Sequence, residues 1–253
     1  SSSGSASSGR KEEGSSATGG GSGAAGDSKV SGSSQEASRL LPGIDRALAS
    51  TRKGAEISAY QARALRRANK VAESDIESRM RSALAQPWKD PLASQGEVRR
   101  GPISPVQGKI SRGFGPSEDV LLPPRPSNGV MHEHFHGGID LTAPEGSPVK
   151  AFDLGRVAFI GASAGAGVHV VLSHPGGLAT AYTHLADGPR TRGLKAGQYV
   201  NAGQVIGQVG KTGVTLAPHL HFMASRGWLI DPRGLLRVGG GERAQTRKTT
   251  EKR

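Results

Sequence analysis

Histidines and one carboxylate occupy three short stretches of the chain, at spacings that suit a mononuclear zinc site. The stretches are His136-Gly-Gly-Ile-Asp140, Tyr182-Thr-His184 and His219-Leu-His221. Zinc binds imidazole nitrogen and carboxylate oxygen, and a catalytic site uses three protein ligands and leaves a fourth position for water. His136, Asp140 and His221 can supply three such ligands, which predicts a zinc hydrolase.

The spacing within two of these stretches places their polar side chains on one side of a β-strand. Side chains alternate across a strand, so residues two or four positions apart share a face. His136 and Asp140 are four positions apart, whereas His219 and His221 are two apart and alternate with apolar residues. Each pair is therefore expected to point together, which favours a shared site over scattered surface histidines.

A competing motif overlaps the first stretch, because His132-Glu-His-Phe-His136 matches the H-E-x-x-H signature of helical zinc proteases. That signature needs a helix to bring both histidines onto one face. The dipeptides Asn128-Gly129 and Gly137-Gly138 flank the match, and such dipeptides mark turns. We therefore interpret the match as accidental and assign three of its residues to a loop or the start of a strand at the rim of the site, namely His132, Glu133 and His134.

Further landmarks surround these stretches in a characteristic order. They include Pro105-Val-Gln-Gly-Lys-Ile-Ser-Arg-Gly-Phe-Gly115, Gly146-Ser-Pro-Val-Lys-Ala151, Gly203-Gln-Val-Ile-Gly207, Gly210-Lys-Thr-Gly213 and Pro218-His-Leu-His-Phe222. From about Gly101 to Leu236 the sequence resembles the lysostaphin/LytM-type zinc endopeptidases, which cut peptidoglycan cross-bridges. One departure is a long insert between Phe114 and His136, which is rich in proline and contains Ser117-Glu-Asp119. We expect this insert to reshape the substrate groove.

The resemblance implies a role for each of five residues. It assigns the role of zinc ligand to His136, Asp140 and His221. It assigns the role of an unliganded catalytic pair to His184 and His219. Zinc lowers the pKa of a bound water to about 7 and polarises a peptide carbonyl. Imidazoles titrate near neutrality, so the catalytic pair can handle the proton and stabilise the oxyanion.

Short runs rich in valine, isoleucine, tyrosine and phenylalanine recur between glycines at intervals of about ten residues. They are Val149–Phe152, Arg156–Ile160, Val168–Leu172, Ala179–His184, Gln204–Val209 and His219–Ala224. This rhythm is typical of β proteins, and no comparable helical periodicity follows residue 101. We expect a mainly β fold, a compact antiparallel β-sheet domain with an active-site groove across one face.

Composition divides the chain around this domain, which we assign to residues 101–238. Residues 1–36 are nearly all serine, glycine and alanine, which predicts a disordered tether because too little apolar surface is available to offset the entropy of ordering. Residues 37–90 are predicted to be a helical segment, whose clearest apolar run ends before Pro87, and residues 239–253 a basic flexible tail. The helical segment is expected to pack against the β domain or a partner helix. The alternative is direct wall binding by its basic residues, Arg63, Arg66, Arg67 and Lys70.

The 253-residue chain has a net charge of +12, which implies attraction to polyanions such as anionic wall polymers. Specific nucleic-acid binding is not expected, because aromatic residues make up 4% of the chain and no recognition motif is present. The absence of cysteine excludes disulfides and thiolate ligands. No run approaches the roughly 18 apolar residues of a membrane span. The chain begins at Ser1, which we interpret as a mature or excised fragment without its targeting sequence.

These features and the resemblance predict a zinc-dependent endopeptidase, with Zn²⁺ as cofactor, that hydrolyses peptide cross-bridges of bacterial peptidoglycan. We expect it to be extracellular or periplasmic and associated with the cell wall, or alternatively to belong to a larger virion assembly as part of a phage tail. The alternative function is a wall-binding or structural module that holds an inactive or regulated domain of the same type.

Overall fold

The structure is a computed structural model that describes residues 58–89 and 101–237. Three helices are described, α1 (Ala59–Ala85), α2 (Pro189–Arg192) and α3 (Arg233–Arg237). The described strands are β1 (Lys109–Arg112), β2 (Gly115–Pro116), β3 (Arg125–Ser127), β4 (Val130–His132), β5 (Phe135–His136), β6 (Ile139–Thr142), β7 (Pro148–Lys150), β8 (Gly155–Ser163), β9 (Gly167–His174), β10 (Leu178–Leu185), β11 (Tyr199–Val200), β12 (Val205–Gln208), β13 (Leu220–Ser225) and β14 (Leu229–Ile230).

An antiparallel sheet forms the body of the domain. Its strand order is β1-β6-β13-β10-β9-β8-β11, and β14 pairs with β13. In its centre, Tyr182 of β10 lies opposite Phe222 of β13, and Ala181 lies opposite Met223. The six predicted strand runs correspond to β7, β8, β9, β10, β12 and β13. The prediction of a mainly β, antiparallel fold is confirmed.

One face of the sheet, which we call the closed face, packs into the larger apolar core. Residues on alternate positions of the central strands point into it, including Val170, Tyr182 and Phe222, all fully buried. Burying side chains of this size stabilises the fold by about 1.5–3 kcal/mol each. The hydroxyl of Tyr182 accepts a hydrogen bond from the backbone N–H of Phe152 at 2.9 Å, so its polar atom is satisfied within this core.

The opposite face of the sheet, which we call the site face, is partly covered by α1. The helix begins with a capping box, in which Ser58 and Gln61 satisfy each other's backbone N–H groups. It ends at Ala85, before Pro87 as predicted. Its apolar stripe packs on the sheet in a cluster of buried residues that includes Ala72, Ile76, Met80, Val171, Ala181 and Met223. The helix is therefore part of the same folded body as the sheet.

The insert between β2 and β5 is tied to α1 by polar contacts. Arg66 Nε donates to the carbonyl of Val120 at 2.7 Å, and Asn69 Nδ2 donates to the carbonyl of Leu121 at 2.8 Å. Within the insert, β3 and β4 form a hairpin whose turn holds Asn128 and Gly129 at φ 51° and 77°. Both residues adopt the left-handed conformation that such a two-residue turn requires.

Some predicted segments lie outside the described residues. These are the tether at 1–36, the first part of the helical segment at 37–57 and the tail at 239–253. Neither α1 nor the two short helices have the length and hydropathy that crossing a bilayer requires.

Candidate metal centre

Three side chains on the site face converge on one point. His136 ends β5, while Asp140 in β6 lies directly opposite His221 in β13. His136 Nε2 lies 3.0 Å from Asp140 Oδ1 and 2.9 Å from His221 Nδ1, and the last two atoms are 2.9 Å apart. All three residues are buried. The sheet register therefore brings together the three residues that the sequence predicts as metal ligands.

The orientation of the His136 ring suits the binding of a cation by these three atoms. Its Nδ1 lies 2.7 Å from the carbonyl of Gly113, which can only accept, so Nδ1 donates and Nε2 presents a lone pair. That lone pair faces a carboxylate oxygen, an arrangement that a shared proton or a cation stabilises. Two ligand atoms of a tetrahedral zinc ion, with bonds of about 2.0–2.1 Å, lie roughly 3.3 Å apart. The three atoms here are therefore close to the separations that zinc requires. A carbonyl acceptor behind a ligand histidine is also usual for zinc.

The two other predicted histidines lie beside this triad. The ring centroids of His184 and His219 are 4.9 Å apart, and His219 Nε2 lies 3.5 Å from Asp140 Oδ1. His184 Nδ1 is 2.8 Å from the carbonyl of Thr212, and His219 Nδ1 is 2.9 Å from the carbonyl of Ala217. Because a carbonyl only accepts, both Nδ1 atoms donate and both Nε2 atoms are left as acceptors.

His184 reaches this position through an irregular backbone. The register between β10 and β9 shifts between Tyr182 and Leu185, and His184 adopts φ 59°. A non-glycine residue in the left-handed region costs about 1–3 kcal/mol and is typical of functional sites. The backbone N–H of His184 donates to the carbonyl of Ala166, which holds the kink in place.

Burial and hydrogen bonding set the charges in the site. Burial opposes ionisation of Asp140, but its polar contacts with His136 and His221 hold its pKa well below the usual range. Burial lowers the pKa of His184 to about 3, with a further contribution from His219. Burial also lowers the pKa of His221 to about 4. Asp140 is therefore an anion and His184 and His221 are neutral near pH 7, which are the forms that bind metal or accept protons.

A basic residue that sequence reasoning missed borders the triad. Arg112 Nη1 lies 3.6 Å from Asp140 Oδ2, and its Nη2 pairs with Asp119 Oδ2 at 2.7 Å. Asp119 belongs to the insert, so the insert reaches the site as expected. Sequence reasoning also missed the carbonyls of Gly113, Thr212 and Ala217, because the type of a residue does not show which backbone carbonyl accepts a hydrogen bond.

A cavity of about 310 Å³ opens beside these residues. Its lining includes His136, Asp140, His184, His219 and His221, together with Arg112, Asp119 and Leu216 from the loops. α1 contributes Asn69, Ala72, Glu73 and Ile76 to the same lining. The helical segment packs against the β domain, one of the two placements that the sequence suggests, and it also forms part of the cavity wall, which helical periodicity does not indicate.

The H-E-x-x-H match does not form a helix. His132 lies in β4 and His136 in β5, so the two residues occupy separate strands. His134 Nδ1 contacts the carbonyl of Leu122 at 3.1 Å. His132, Glu133 and His134 thus lie in a strand end and a connection, as expected for the rim.

Comparisons with known proteins identify the domain. Residues 134–232, which contain all five candidate site residues, match the model of peptidase family M23. The DD-carboxypeptidase/endopeptidase Mpg of Neisseria meningitidis is 42% identical over 96 residues, which are 38% of this chain and 21% of that protein. Lysostaphin of Staphylococcus simulans is 37% identical over 116 residues, 45% of this chain and 21% of that protein. The chain thus spans about a fifth of the length of these relatives.

A solved structure of the catalytic domain of lysostaphin from Staphylococcus simulans is 34% identical to the chain. The match covers 51% of this chain and 92% of that domain, with a TM-score of 0.41. Residues 134–232 therefore form a peptidase family M23 domain within this chain.

Proposed function

We propose that the protein is a zinc-dependent endopeptidase that hydrolyses peptide cross-bridges of bacterial peptidoglycan. The observation that carries this proposal is the convergence of His136 Nε2, Asp140 Oδ1 and His221 Nδ1 inside the family M23 domain. Relatives named DD-carboxypeptidase/endopeptidase and peptidoglycan DD-endopeptidase support the substrate class.

In this proposal His136, Asp140 and His221 hold the metal. Zinc bound there lowers the pKa of water to about 7 and polarises the scissile carbonyl. The chain contributes the placement of the ligands, because Gly113 fixes the His136 ring and the pairing of β6 with β13 sets Asp140 opposite His221. Arg112 adds a positive charge beside the free oxygen of Asp140 and holds that carboxylate in place.

His184 and His219 move the proton and stabilise the developing charge. Each ring donates from Nδ1 to a backbone carbonyl, so each Nε2 is the atom that exchanges a proton. The backbone kink at His184 holds that ring in one orientation. One imidazole accepts the proton of the attacking water, and the other, when protonated, donates to the oxyanion.

The wider setting follows from the same proposal. Peptidoglycan lies outside the membrane, so we place the protein in the extracellular space or periplasm, associated with the cell wall. The net charge of +12 favours attachment to anionic wall polymers. The proposed organisation is a tether at 1–36, a helical segment at 37–90, the peptidase domain at 101–238 and a basic tail at 239–253. A phage-tail setting is the alternative for the assembly, and a regulated wall-binding module is the alternative function.

Incubation with purified peptidoglycan tests the proposal. The zinc-loaded chain should release fragments with new amino termini, and a chelator should stop the release until zinc is restored. Release of sugar reducing ends without new amino termini would overturn the peptidase assignment. Binding to the wall without any release would favour the regulated module instead.

A further inference from the structure

A helix outside the family domain forms part of the active-site wall. α1 precedes the matched residues 134–232, yet Asn69, Ala72, Glu73 and Ile76 line the cavity that holds the candidate metal ligands. The wall is fixed on both sides, because Ile76 packs on the sheet and Asn69 donates to the carbonyl of Leu121 in the insert. Side chains of this wall therefore keep a constant position relative to the site.

One carboxylate in this wall lacks a hydrogen-bond partner. Oε2 of Glu73 is buried and accepts no hydrogen bond from any residue in the two described ranges. Arg125 forms an ion pair with it at 3.5 Å through Nη2, but no hydrogen bond. Arg125 directs both terminal nitrogens to Glu77 instead. Two carboxylates thus share one guanidinium, and the excess negative charge and the unused acceptor both belong to Glu73.

Glu73 lies beside the residue that follows the candidate ligand His136. Its Oε2 is 3.5 Å from the position that a Cβ would occupy at Gly137, the residue between the ligand His136 and the turn to Asp140. Gly137 has no side chain to separate the carboxylate from this part of the chain. A peptide bound across the ligands would pass this wall.

We propose that Glu73 is a specificity residue that binds an ammonium group of the peptide substrate. This inference rests on the proposed function. An ammonium group supplies what the carboxylate lacks, since it is a small cation with three hydrogen-bond donors and no acceptor. A neutral or acidic group would leave the charge uncompensated in a buried wall, which is costly.

The protonation of Glu73 is consistent with such a partner. Burial raises the pKa of the Glu73 carboxyl to about 7, and Arg125 opposes this only in part. A bound cation favours the carboxylate form of Glu73.

The test uses synthetic cross-bridge peptides in three forms. One form carries a free side-chain amine and a free amino terminus, the second has the side-chain amine acetylated, and the third has the amino terminus acetylated. The wild type should prefer the free form over one acetylated form by roughly tenfold or more in kcat/KM, and that form identifies which amine is bound. Equal cleavage of all three forms would overturn the inference and leave the proposed function standing. Failure to cleave any peptide or purified wall would overturn both.

Two matched variants test whether Glu73 causes the preference for the peptide with a free amine. Glu73→Gln should lose the preference, because it removes the charge at constant size. Asp75→Asn is the control, since Asp75 lies on the same helix and pairs with Arg79, not with Arg125, and it is not part of the cavity lining. It should keep the preference. A Glu73→Gln protein that unfolds normally and still discriminates between the peptides would refute the role of Glu73.

Discussion

Buried histidines occupy both faces of the sheet, but their ring nitrogens have different kinds of partner on the two faces. On the closed face, His174 Nδ1 lies 2.8 Å from the carbonyl of Leu154, and its Nε2 lies 2.7 Å from Thr180 Oγ1. Thr180 in turn contacts the hydroxyl of Tyr182 at 3.1 Å. Every polar atom of this network has a complementary partner. On the site face, by contrast, His136 and His221 turn ring nitrogens toward each other and toward Asp140.

The comparison teaches that burial alone does not mark a functional histidine. Burial lowers the pKa of His174 and of His221 alike. What differs is the direction of the nitrogens, because His174 meets a carbonyl and a hydroxyl whereas His136 and His221 meet a carboxylate and another imidazole. A network that is complete without an ion stabilises the fold, and a set of acceptors that converge is suited to a metal.

The largest expected effect comes from the ligands on the site face. His136→Ala, Asp140→Ala or His221→Ala should each abolish zinc binding and activity, because each removes one of three protein ligands. The zinc content of each purified variant measures metal binding, and the rate of peptidoglycan hydrolysis measures activity. Glu133→Gln is the control at the rim and should retain most activity. A variant that keeps stoichiometric zinc and full turnover would exclude its residue from the ligand set.

The next effect separates metal binding from catalysis. His184→Ala and His219→Ala should keep zinc but lose roughly a hundredfold or more in kcat, because proton transfer and oxyanion stabilisation are each worth about that much. Metal analysis and kcat measured on the same protein samples distinguish the two roles. Near-normal rates in either variant would remove that residue from the catalytic pair.

On the closed face, a change should alter stability without altering metal binding. Tyr182→Phe removes the acceptor for the Phe152 N–H and a partner of Thr180, and should cost about 1–3 kcal/mol of the free energy of unfolding. Zinc content and activity per folded molecule should stay the same. Loss of zinc from folded Tyr182→Phe would show that the two faces are not independent.

The smallest expected effect concerns Glu73 and depends on pH. Its folded-state pKa of about 7 lies above the unfolded value of 4.5, so the folded chain binds more protons between these values and becomes less stable as pH rises through that window. Glu73→Gln should therefore be more stable than the wild type above pH 7, with the difference fading toward pH 4.5. Denaturant unfolding at several pH values measures it. A constant difference at all pH values would contradict the shifted pKa.

Sequence reasoning predicted the parts of the site that follow from strand geometry. The alternation of side chains predicted that His219 and His221 share a face, and both line the cavity. It also predicted that His136 and Asp140 point together from one strand, and their side chains do meet, but His136 ends β5 and Asp140 lies in β6, so the contact spans the Gly137-Gly138 turn. The position of His184 depends on a register shift and a left-handed backbone, which residue types do not reveal. The contribution of Glu73 depends on where α1 packs, a long-range contact that helical periodicity cannot specify.

The most direct test of the account is the position of zinc in a crystal of the metal-loaded chain, located by anomalous scattering at the zinc absorption edge. We predict one strong peak bonded to His136 Nε2, Asp140 Oδ1 and His221 Nδ1, with His184 and His219 nearby but not bonded. A stoichiometric zinc ion bound by His132 and His136, or by His184 or His219, would contradict the assignment of the site face as the catalytic metal centre.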